Sequence, residues 1–346
     1  MRRVFTLLLS IIIISSCDKE PTTVPKHGVD KDYIIVGYAT YWDDVMPNPT
    51  LLTHINYSFA KIKDDFESLD IRTPSRLEKI AALKQTNPHL KVLLAIGGWG
   101  AGNFSEMAAD ANHRKKFCEN CLAAINQYGL DGIDLDWEYP TRSDAGISSS
   151  PDDTKNFTLL LADLRATLGE NLLISMASPA NAKYVDFKQA IKYLDHVNIM
   201  SYDMGNPPNR HNSGLYASDK AVDNGDKAAR LHFQAGVPYN KMTLGMPFYG
   251  HGNKTDFPKD VSFNELSSLN TQGYTEMWDD RAMVPYLVDA SGTMVLSYEN
   301  ERSIGLKADY VKTKLMKGAM YWNIEKDDSD WTLSKVIANS LLKKAE

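Results

Sequence analysis

The sequence lacks the cysteines that a disulfide framework or a zinc site would need. Its 346 residues include three cysteines, and only Cys118 and Cys121 lie close together along the chain. A zinc site needs further ligands at suitable spacing, and no second cysteine pair is present to supply them. Because the two cysteines stand among apolar residues at helical spacing, we expect them to pack on the buried face of a helix.

The sequence also lacks an excess of basic residues and a glycine-rich phosphate loop. It has 38 Lys and Arg against 44 Asp and Glu, which gives a formal net charge of −6. Nucleic acid is not an expected partner, because neutralising phosphates requires a concentrated basic surface. The GxGxxG pattern of dinucleotide-binding sheets is absent.

Long apolar runs are missing as well, and the run near the N-terminus is too short to span a bilayer. It covers 4–14, follows two arginines and precedes two serines and Cys17, which predicts a signal peptide at 1–16. The Ile-Ser-Ser-Cys segment is similar to the lipobox of bacterial lipoproteins, which implies that Cys17 carries a lipid and that 17–32 form a polar tether. We therefore expect a bacterial cell-envelope lipoprotein that contacts the membrane through this lipid only. A plain signal peptide with a chance cysteine is the alternative.

Apolar, β-branched segments recur along the rest of the chain and predict eight strands. Most gaps between them carry a helix-like apolar pattern. Strands that alternate with helices imply parallel pairing, and eight such units in about 300 residues favour an α/β fold of the (β/α)8 TIM-barrel type over an open doubly wound sheet. The predicted strands are 33–39, 54–59, 91–96, 132–137, 172–177, 196–201, 242–247 and 318–322.

The gap between the last two predicted strands is longer than one helical connection needs. It holds strand-like and turn-like pieces before a helix pattern, and structureless loops of this length are uncommon. We predict a small inserted α+β subdomain at 251–300, with the barrel formed by 33–250 and 301–346. An insertion after a barrel strand lies on the catalytic face, so this one would form a wall of a cleft.

One predicted strand, DGIDLDWEYP at 131–140, combines apolar residues with carboxylates. Side chains alternate between the two faces of a strand, so Asp134, Asp136 and Glu138 share one face, while Asp131 is out of phase and marks the strand start. In a barrel the in-phase acids line the interior, and Glu138 emerges at the C-terminal mouth. Burial and neighbouring like charges raise the pKa of a carboxyl group, as a general acid at neutral pH requires. An exposed strand and a hard-cation site are the alternatives.

The segment DGIDLDWE at 131–138 resembles the DxxDxDxE signature of family 18 glycoside hydrolases, the chitinase family. The resemblance continues in order along nearly the whole chain, and the insertion is similar to the small α+β subdomain of the deep-cleft chitinases. It implies a TIM barrel that hydrolyses β-1,4 bonds next to N-acetylglucosamine. The matching segments are VGYATYW at 36–42, INYSFA at 55–60, LAIGGWG at 94–100, MSYD at 200–203, GMPFYG at 245–250 and GAMYWNIEKDD at 318–328.

The same resemblance implies a substrate-assisted mechanism with retention of configuration and no enzyme nucleophile. Glu138 would protonate the glycosidic oxygen while the substrate's own acetamido oxygen attacks C1. Asp136 would accept a hydrogen bond from the acetamido N–H, and Asp134 would share a proton with Asp136. Tyr202 would donate its hydroxyl to the acetamido oxygen. This chemistry requires no metal and no cofactor.

The resemblance further implies a sugar-binding pocket with an aromatic floor, because the C–H face of a sugar ring prefers an aromatic plane. Trp322 would form this floor and Trp99 a neighbouring platform, whereas Trp42 and Trp278 are weaker platform candidates that are interpreted mainly as parts of the fold. The implied substrate-binding residues are Tyr38, Trp99, Met200, Asp203, Tyr249 and Trp322.

Three departures from the family pattern affect the expected site. Ala95 stands where a serine often helps to hold the inner aspartate, so Asp134 is expected to rely on Tyr38 or a water. His251 replaces an arginine that often follows FYG. The YDMGNPPNR segment lacks the tryptophan that many processive chitinases carry after YD, which predicts a weaker grip on a long polymer.

Three other functions compete with a monomeric, envelope-anchored chitinase acting on chitin or chitooligosaccharides. An endo-β-N-acetylglucosaminidase acting on N-glycan cores would belong to the same family. An inactive chitin-binding lectin would have lost the catalytic acid, and a purely structural lipoprotein leaves the in-phase acids unexplained. The complete set of acids, together with Trp322 and the insertion, favours the chitinase.

Overall fold

Eight parallel strands close into a barrel in the computed structural model, which describes residues 32–342. Each barrel strand pairs in parallel with its neighbours, and the first pairs with both the second and the last, which closes the barrel. The predicted (β/α)8 TIM barrel is therefore confirmed. The barrel strands, β1 to β8, are Ile34–Thr40, His54–Ile62, Lys91–Gly97, Gly132–Asp136, Leu173–Pro179, His196–Met200, Met242–Pro247 and Gly318–Trp322.

The N-terminal predictions lie outside the described residues. These are the signal peptide at 1–16, the lipidated Cys17 and the tether at 17–32, of which the structure describes residue 32 alone. Within 32–342, no helix combines the length and the apolar character needed to cross a membrane.

Helices cover the outer face of the barrel, where the apolar side chains of the strands are buried. Trp137 stacks on Phe104 with ring centroids 5.2 Å apart. The helix Ala111–Tyr128 buries Cys118 and Cys121 as free thiols, as its apolar pattern predicts. The α-helices outside the insertion are Pro74–Ala82, Phe104–Ala109, Ala111–Tyr128, Asp153–Leu168, Phe187–Ala190, Gly225–Ala235, Glu301–Thr313 and Thr332–Leu341, and the 3-10 turns are Pro49–Leu51, Leu83–Gln85, Tyr239–Lys241 and Ile324–Lys326.

A second, antiparallel sheet of five strands follows β7 and precedes β8. It begins at Tyr249, immediately beyond the carboxyl end of β7, so it rises from the barrel mouth. In spatial order its strands are Asp260–Ser262, Tyr249–Gly252, Met294–Ser297, Val284–Val288 and Thr275–Asp279, with the short helix Phe263–Leu266 beside them. One further strand, Leu69–Ile71, pairs antiparallel with β2.

The register between neighbouring strands determines which residues flank the acids of β4. Asp134 lies opposite Ala95 of β3 on one side and Ser175 of β5 on the other. Gly97 lets β3 approach β4 closely, because a Cβ there would lie 2.0 Å from the carbonyl oxygen of Asp136. Asp131 lies before β4 at the opposite end of the barrel, where it pairs with Lys84 at 2.9 Å.

Candidate active site

Asp134 is fully buried in the barrel and is held by three hydrogen bonds from three strands. Its Oδ2 accepts from the Tyr38 hydroxyl at 2.7 Å. Its Oδ1 accepts from Ser175 Oγ at 2.6 Å and from Asn198 Nδ2 at 3.1 Å. Thr243 Oγ1 donates to the other end of the Asn198 amide at 2.7 Å, which turns Nδ2 towards the carboxylate. Burial raises the pKa of Asp134, while the hydrogen bonds from Ser175 and Tyr38 act in the opposite direction.

A hydroxyl group from β5 replaces the serine hydroxyl that Ala95 lacks on β3. Ala95 and Ser175 flank Asp134 in register, one on each neighbouring strand. The expected contact with Tyr38 is present, and Ser175 adds a second hydroxyl that the sequence reasoning did not identify. Asp134 is therefore satisfied by protein groups without a serine on β3.

Asp136 is buried between Asp134 and Glu138, and its Oδ1 has no hydrogen-bond partner in the described part of the chain. Burial raises its pKa well above the ordinary value, and the neighbouring charges of Glu138 and Asp134 raise it further. A second negative charge is thus disfavoured in this column, so Asp136 can hold a proton. The free Oδ1 leaves an acceptor available for a ligand.

Glu138 follows β4 at the barrel mouth. Burial is the largest cause that raises its pKa from 4.5 to about 7, a hydrogen bond from Tyr139 lowers it, and the charge of Asp203 raises it. A carboxyl group with this pKa is substantially protonated near neutral pH and also functions as a base after giving up its proton. Glu138 therefore has the properties of a general acid and base.

Tyr202 lies in the apolar cluster inside the barrel mouth with Tyr38, Phe59 and Met320. Its hydroxyl lies 3.8 Å from the sulfur of Met320. Burial raises the pKa of the hydroxyl well above the ordinary value, and the nearby charge of Asp136 adds to this. The group stays protonated and can donate a hydrogen bond to a ligand in the cleft.

Asp203 exposes 61% of its side chain to the cleft and is held from below. Its Oδ1 accepts from the Tyr249 hydroxyl at 2.6 Å and lies 3.0 Å from His251 Nε2. Its backbone has a φ of 55°, in the left-handed region, and its N–H donates to Asn212 Oδ1 at 2.8 Å. Burial raises the pKa of Asp203, but the hydrogen bonds from His251 and Tyr249 outweigh this and lower it, so the group is ionised.

The acids open into a cleft that extends on both sides of Glu138. On one side a cavity of about 630 Å³ is lined by aromatic residues, and on the other a cavity of about 360 Å³ is more polar. Both cavities are lined by Glu138, Tyr139, Met200, Tyr202 and Asp203. The catalytic carboxyl group therefore stands partway along a groove rather than at its end.

Trp322 lies in the larger cavity, on top of Phe59, with nearly parallel rings 5.6 Å apart. Trp99 also lines this cavity and is 63% exposed. Trp42, a weaker platform candidate that was interpreted mainly as part of the fold, lines the cleft, is 58% exposed and lies 6.4 Å from Trp322. Trp278 is instead in the inserted sheet, where the guanidinium of Arg302 covers its ring at 3.8 Å.

The structure brings every residue predicted for catalysis or substrate binding to this region. Asp134 lies beneath the cleft as a support, and the others line it. Sequence reasoning missed Ser175 and Asn198, whose contacts depend on strand register, and Phe59, which supports Trp322. The alternation of His196 and Asn198 with apolar residues in β6 was a signal for Asn198, whereas β5 carries no such alternation for Ser175. Within 32–342, no group of His, Cys, Asp and Glu is arranged to hold a metal.

Comparison with known proteins agrees with this geometry. The model of the glycosyl hydrolases family 18 matches residues 34–327. The chain belongs to glycoside hydrolase family 18. It is a chitinase-like glycoside hydrolase by its similarity to chitinase A1 of Niallia circulans, which is 31% identical over 96% of this chain, and to probable chitinase 2 of Drosophila melanogaster, which is 30% identical over 93% of this chain.

The coverage of these relatives differs. This chain spans 62% of the length of the Niallia chitinase A1 and 78% of the length of the Drosophila probable chitinase 2. Among solved structures, the family 18 N-acetylglucosaminidase from Paenibacillus barengoltzii matches with a TM-score of 0.80 and 32% identity, over 89% of this chain and 100% of that chain. A chitinase from Bacillus thuringiensis matches with a TM-score of 0.81 and 27% identity, over 91% of this chain and 71% of that chain.

Proposed function

We propose that this family 18 hydrolase cleaves β-1,4-linked N-acetylglucosamine polymers or oligomers by a substrate-assisted, retaining mechanism. The observation that carries the proposal is the column Asp134–Asp136–Glu138, in which the outermost carboxyl group has a pKa of about 7 and opens into an aromatic cleft. No second carboxylate is needed as nucleophile when the substrate provides its own acetamido group.

In the first step Glu138 gives its proton to the glycosidic oxygen as the bond to C1 breaks. The acetamido carbonyl oxygen attacks C1 from the opposite face and forms an oxazolinium ion. The free Oδ1 of Asp136 accepts the acetamido N–H, and proton sharing with Asp134 lets Asp136 become negative as positive charge develops on the ring. In the second step Glu138 takes a proton from a water molecule, which attacks C1 and opens the oxazolinium ring.

The surrounding residues bind and orient the sugar. The protonated Tyr202 hydroxyl is a donor for the acetamido oxygen, and the ionised Asp203 accepts hydrogen bonds from sugar hydroxyls. Trp322, supported by Phe59, provides the flat apolar surface on which the C–H face of a pyranose ring packs. Tyr38 supports Asp134 from below while its ring borders the same pocket.

The groove on both sides of Glu138 supports cleavage within a chain, because sugars on each side of the scissile bond can be bound. The similarity to a family 18 N-acetylglucosaminidase supports a second candidate, the release of single N-acetylglucosamine residues from chain ends. An endo-β-N-acetylglucosaminidase acting on N-glycan cores is the third.

Product analysis by mass spectrometry distinguishes these activities. The purified protein is incubated with chitotetraose and, in parallel, with a high-mannose glycoprotein. The proposal predicts N-acetylglucosamine dimers as the main product from chitotetraose. Single residues as the first product would favour the N-acetylglucosaminidase, and an intact glycan released with one N-acetylglucosamine left on the protein would favour the endo-β-N-acetylglucosaminidase.

We also propose that the protein is anchored in a bacterial cell envelope by a lipid on Cys17, on the basis of the Ile-Ser-Ser-Cys segment. Expression in a bacterial host, followed by membrane fractionation and mass spectrometry of the N-terminal peptide, tests this. A diacylglyceryl modification on Cys17, with loss of membrane association in Cys17→Ala, is expected. An unmodified, soluble Cys17 protein would contradict the proposal.

A further inference from the structure

His251 is a buried histidine that the catalytic steps above do not use. It is 3% exposed and lies in the strand Tyr249–Gly252, directly under the cleft residue Asp203. It stands at the position where the sequence departs from the arginine that is frequent in the family. Its surroundings therefore decide whether it carries the positive charge that an arginine would supply.

The hydrogen-bond partners of His251 require a proton on both ring nitrogens. Nδ1 lies 3.0 Å from the carbonyl oxygen of Gly205, which can only accept. Nε2 lies 3.0 Å from Asp203 Oδ1 and 3.5 Å from Asp260 Oδ1. Because Nδ1 must carry a proton, a neutral ring would direct the Nε2 lone pair at two carboxylates.

The alternative, a proton on Asp203, is disfavoured by its other contacts. The hydrogen bond from the Tyr249 hydroxyl to Oδ1, 2.6 Å long, stabilises the ionised carboxylate, and the pKa of Asp203 is lowered. Lys259 acts on Asp203 with a positive charge, Glu138 faces it across the cleft, and Asp260 faces the ring from the adjacent strand. The strand on the other side contributes the uncharged Ser297 opposite His251. The electrostatic surroundings thus favour the imidazolium.

We infer that His251, as an imidazolium, is a positioning residue that acts through Asp203. It holds this carboxylate ionised and directed into the cleft, so the affinity for the sugar chain falls when the positive charge at this position is removed. The inference rests on the proposed function, in which Asp203 binds a sugar. An arginine at the same position should therefore preserve the affinity, whereas a neutral side chain should not.

The test measures the dissociation constant for chitotetraose in a Glu138→Gln background, which prevents hydrolysis. Isothermal titration calorimetry is performed at the same pH for every variant. We expect the addition of His251→Gln to raise the dissociation constant by about tenfold, because a charge-assisted hydrogen bond is lost.

Two further variants separate charge from shape. Added His251→Gln keeps a donor but no charge, and should bind about tenfold more weakly than the Glu138→Gln protein. Added His251→Arg keeps the charge and should bind with the affinity of the Glu138→Gln protein. His113→Gln is the matched control, because His113 pairs with Glu67 at 3.0 Å away from the cleft and should leave the affinity unchanged.

Affinity that is unchanged by His251→Gln would overturn the inference while leaving the proposed function intact. The same holds if His251→Arg folds and binds as weakly as His251→Gln. If the arginine prevents folding, as judged by circular dichroism, the comparison of the parent with His251→Gln decides alone. Absence of chitotetraose binding in the folded Glu138→Gln protein, with no hydrolysis by the unsubstituted enzyme, would instead refute the proposed function.

Discussion

Replacing Glu138 with Gln should stabilise the fold at alkaline pH while it removes activity. The neutral amide keeps the shape of the side chain but cannot ionise. In the native protein, burial raises the pKa of Glu138 from 4.5 to about 7. A raised carboxyl pKa means that the folded state binds the proton more tightly than the unfolded state, so stability is lost as pH rises between these two values.

The magnitude follows from the two pKa values. At about 1.36 kcal/mol per pH unit, this group lowers the free energy of unfolding by about 2.5 kcal/mol between about pH 5 and pH 8. Partial exposure of Glu138 at the barrel mouth screens part of this effect and leaves about 2 kcal/mol. For a barrel of this size the corresponding change in melting temperature is about 3 °C.

Differential scanning calorimetry of the two proteins at both pH values tests this reasoning. The melting temperature of the Glu138→Gln protein should exceed that of the parent by about 3 °C more at the higher pH than at the lower. Glu78→Gln, on the exposed face of the helix Pro74–Ala82, is the control and should show no such difference. A difference between Glu138→Gln and parent that does not change with pH would refute the raised pKa.

Three further predictions concern turnover of chitotetraose. Because the acid must be protonated, kcat/KM should fall by about tenfold per pH unit above the pKa of Glu138, and a flat alkaline profile would contradict this. Ser175→Ala should lower kcat by about tenfold or more, since one hydrogen bond to Asp134 is lost. Adding Ala95→Ser to this variant should recover part of the lost kcat, because Ala95 also lies opposite Asp134. Unchanged kinetics in Ser175→Ala would show that catalysis does not depend on the hydrogen bond from Ser175 to Asp134. Trp322→Ala should raise KM by about tenfold with a smaller change in kcat, and an effect on kcat alone would argue against a sugar platform.

Much of the fold was predictable because strand and helix periods are properties of local sequence. The alternation in 131–140 separates inner acids from outer apolar residues, and Asp134 and Asp136 do point into the barrel while Leu135 packs beneath the helices. The eight strand segments were found in the same way, because each is a short apolar run between turn residues. The catalytic and sugar-binding roles of individual residues were assigned from the family resemblance, because strand and helix periods do not indicate them.

The contacts between strands were not predictable, because they depend on register and on side chains that are distant in sequence. Ser175 and Asn198 meet Asp134 across 41 and 64 residues of chain, and no local pattern encodes such pairs. The same reason explains why His251 was seen only as a departure from a motif. Its two carboxylate neighbours come from separate segments, one of them 48 residues away in the chain.

Trp42 was ranked as a weak platform candidate for a related reason. It follows β1 closely, and an aromatic residue near a strand end is compatible either with packing or with a cleft surface. Only the closure of the barrel, which brings β8 beside β1, places Trp42 within 6.4 Å of Trp322 and leaves it exposed in the cleft. Trp42 therefore lines the cleft together with Trp322 and Trp99.

The rate of chitotetraose hydrolysis by Glu138→Gln, with Asp136→Asn measured beside it, tests the assignment of Glu138 as the catalytic acid. We expect the unsubstituted enzyme to form N-acetylglucosamine dimers, and loss of the Glu138 proton donor should lower the rate by about 10²- to 10⁴-fold. Asp136→Asn should lower turnover more than affinity, because its interaction strengthens in the transition state. Hydrolysis by folded Glu138→Gln at the parent rate would contradict the assignment of the catalytic acid.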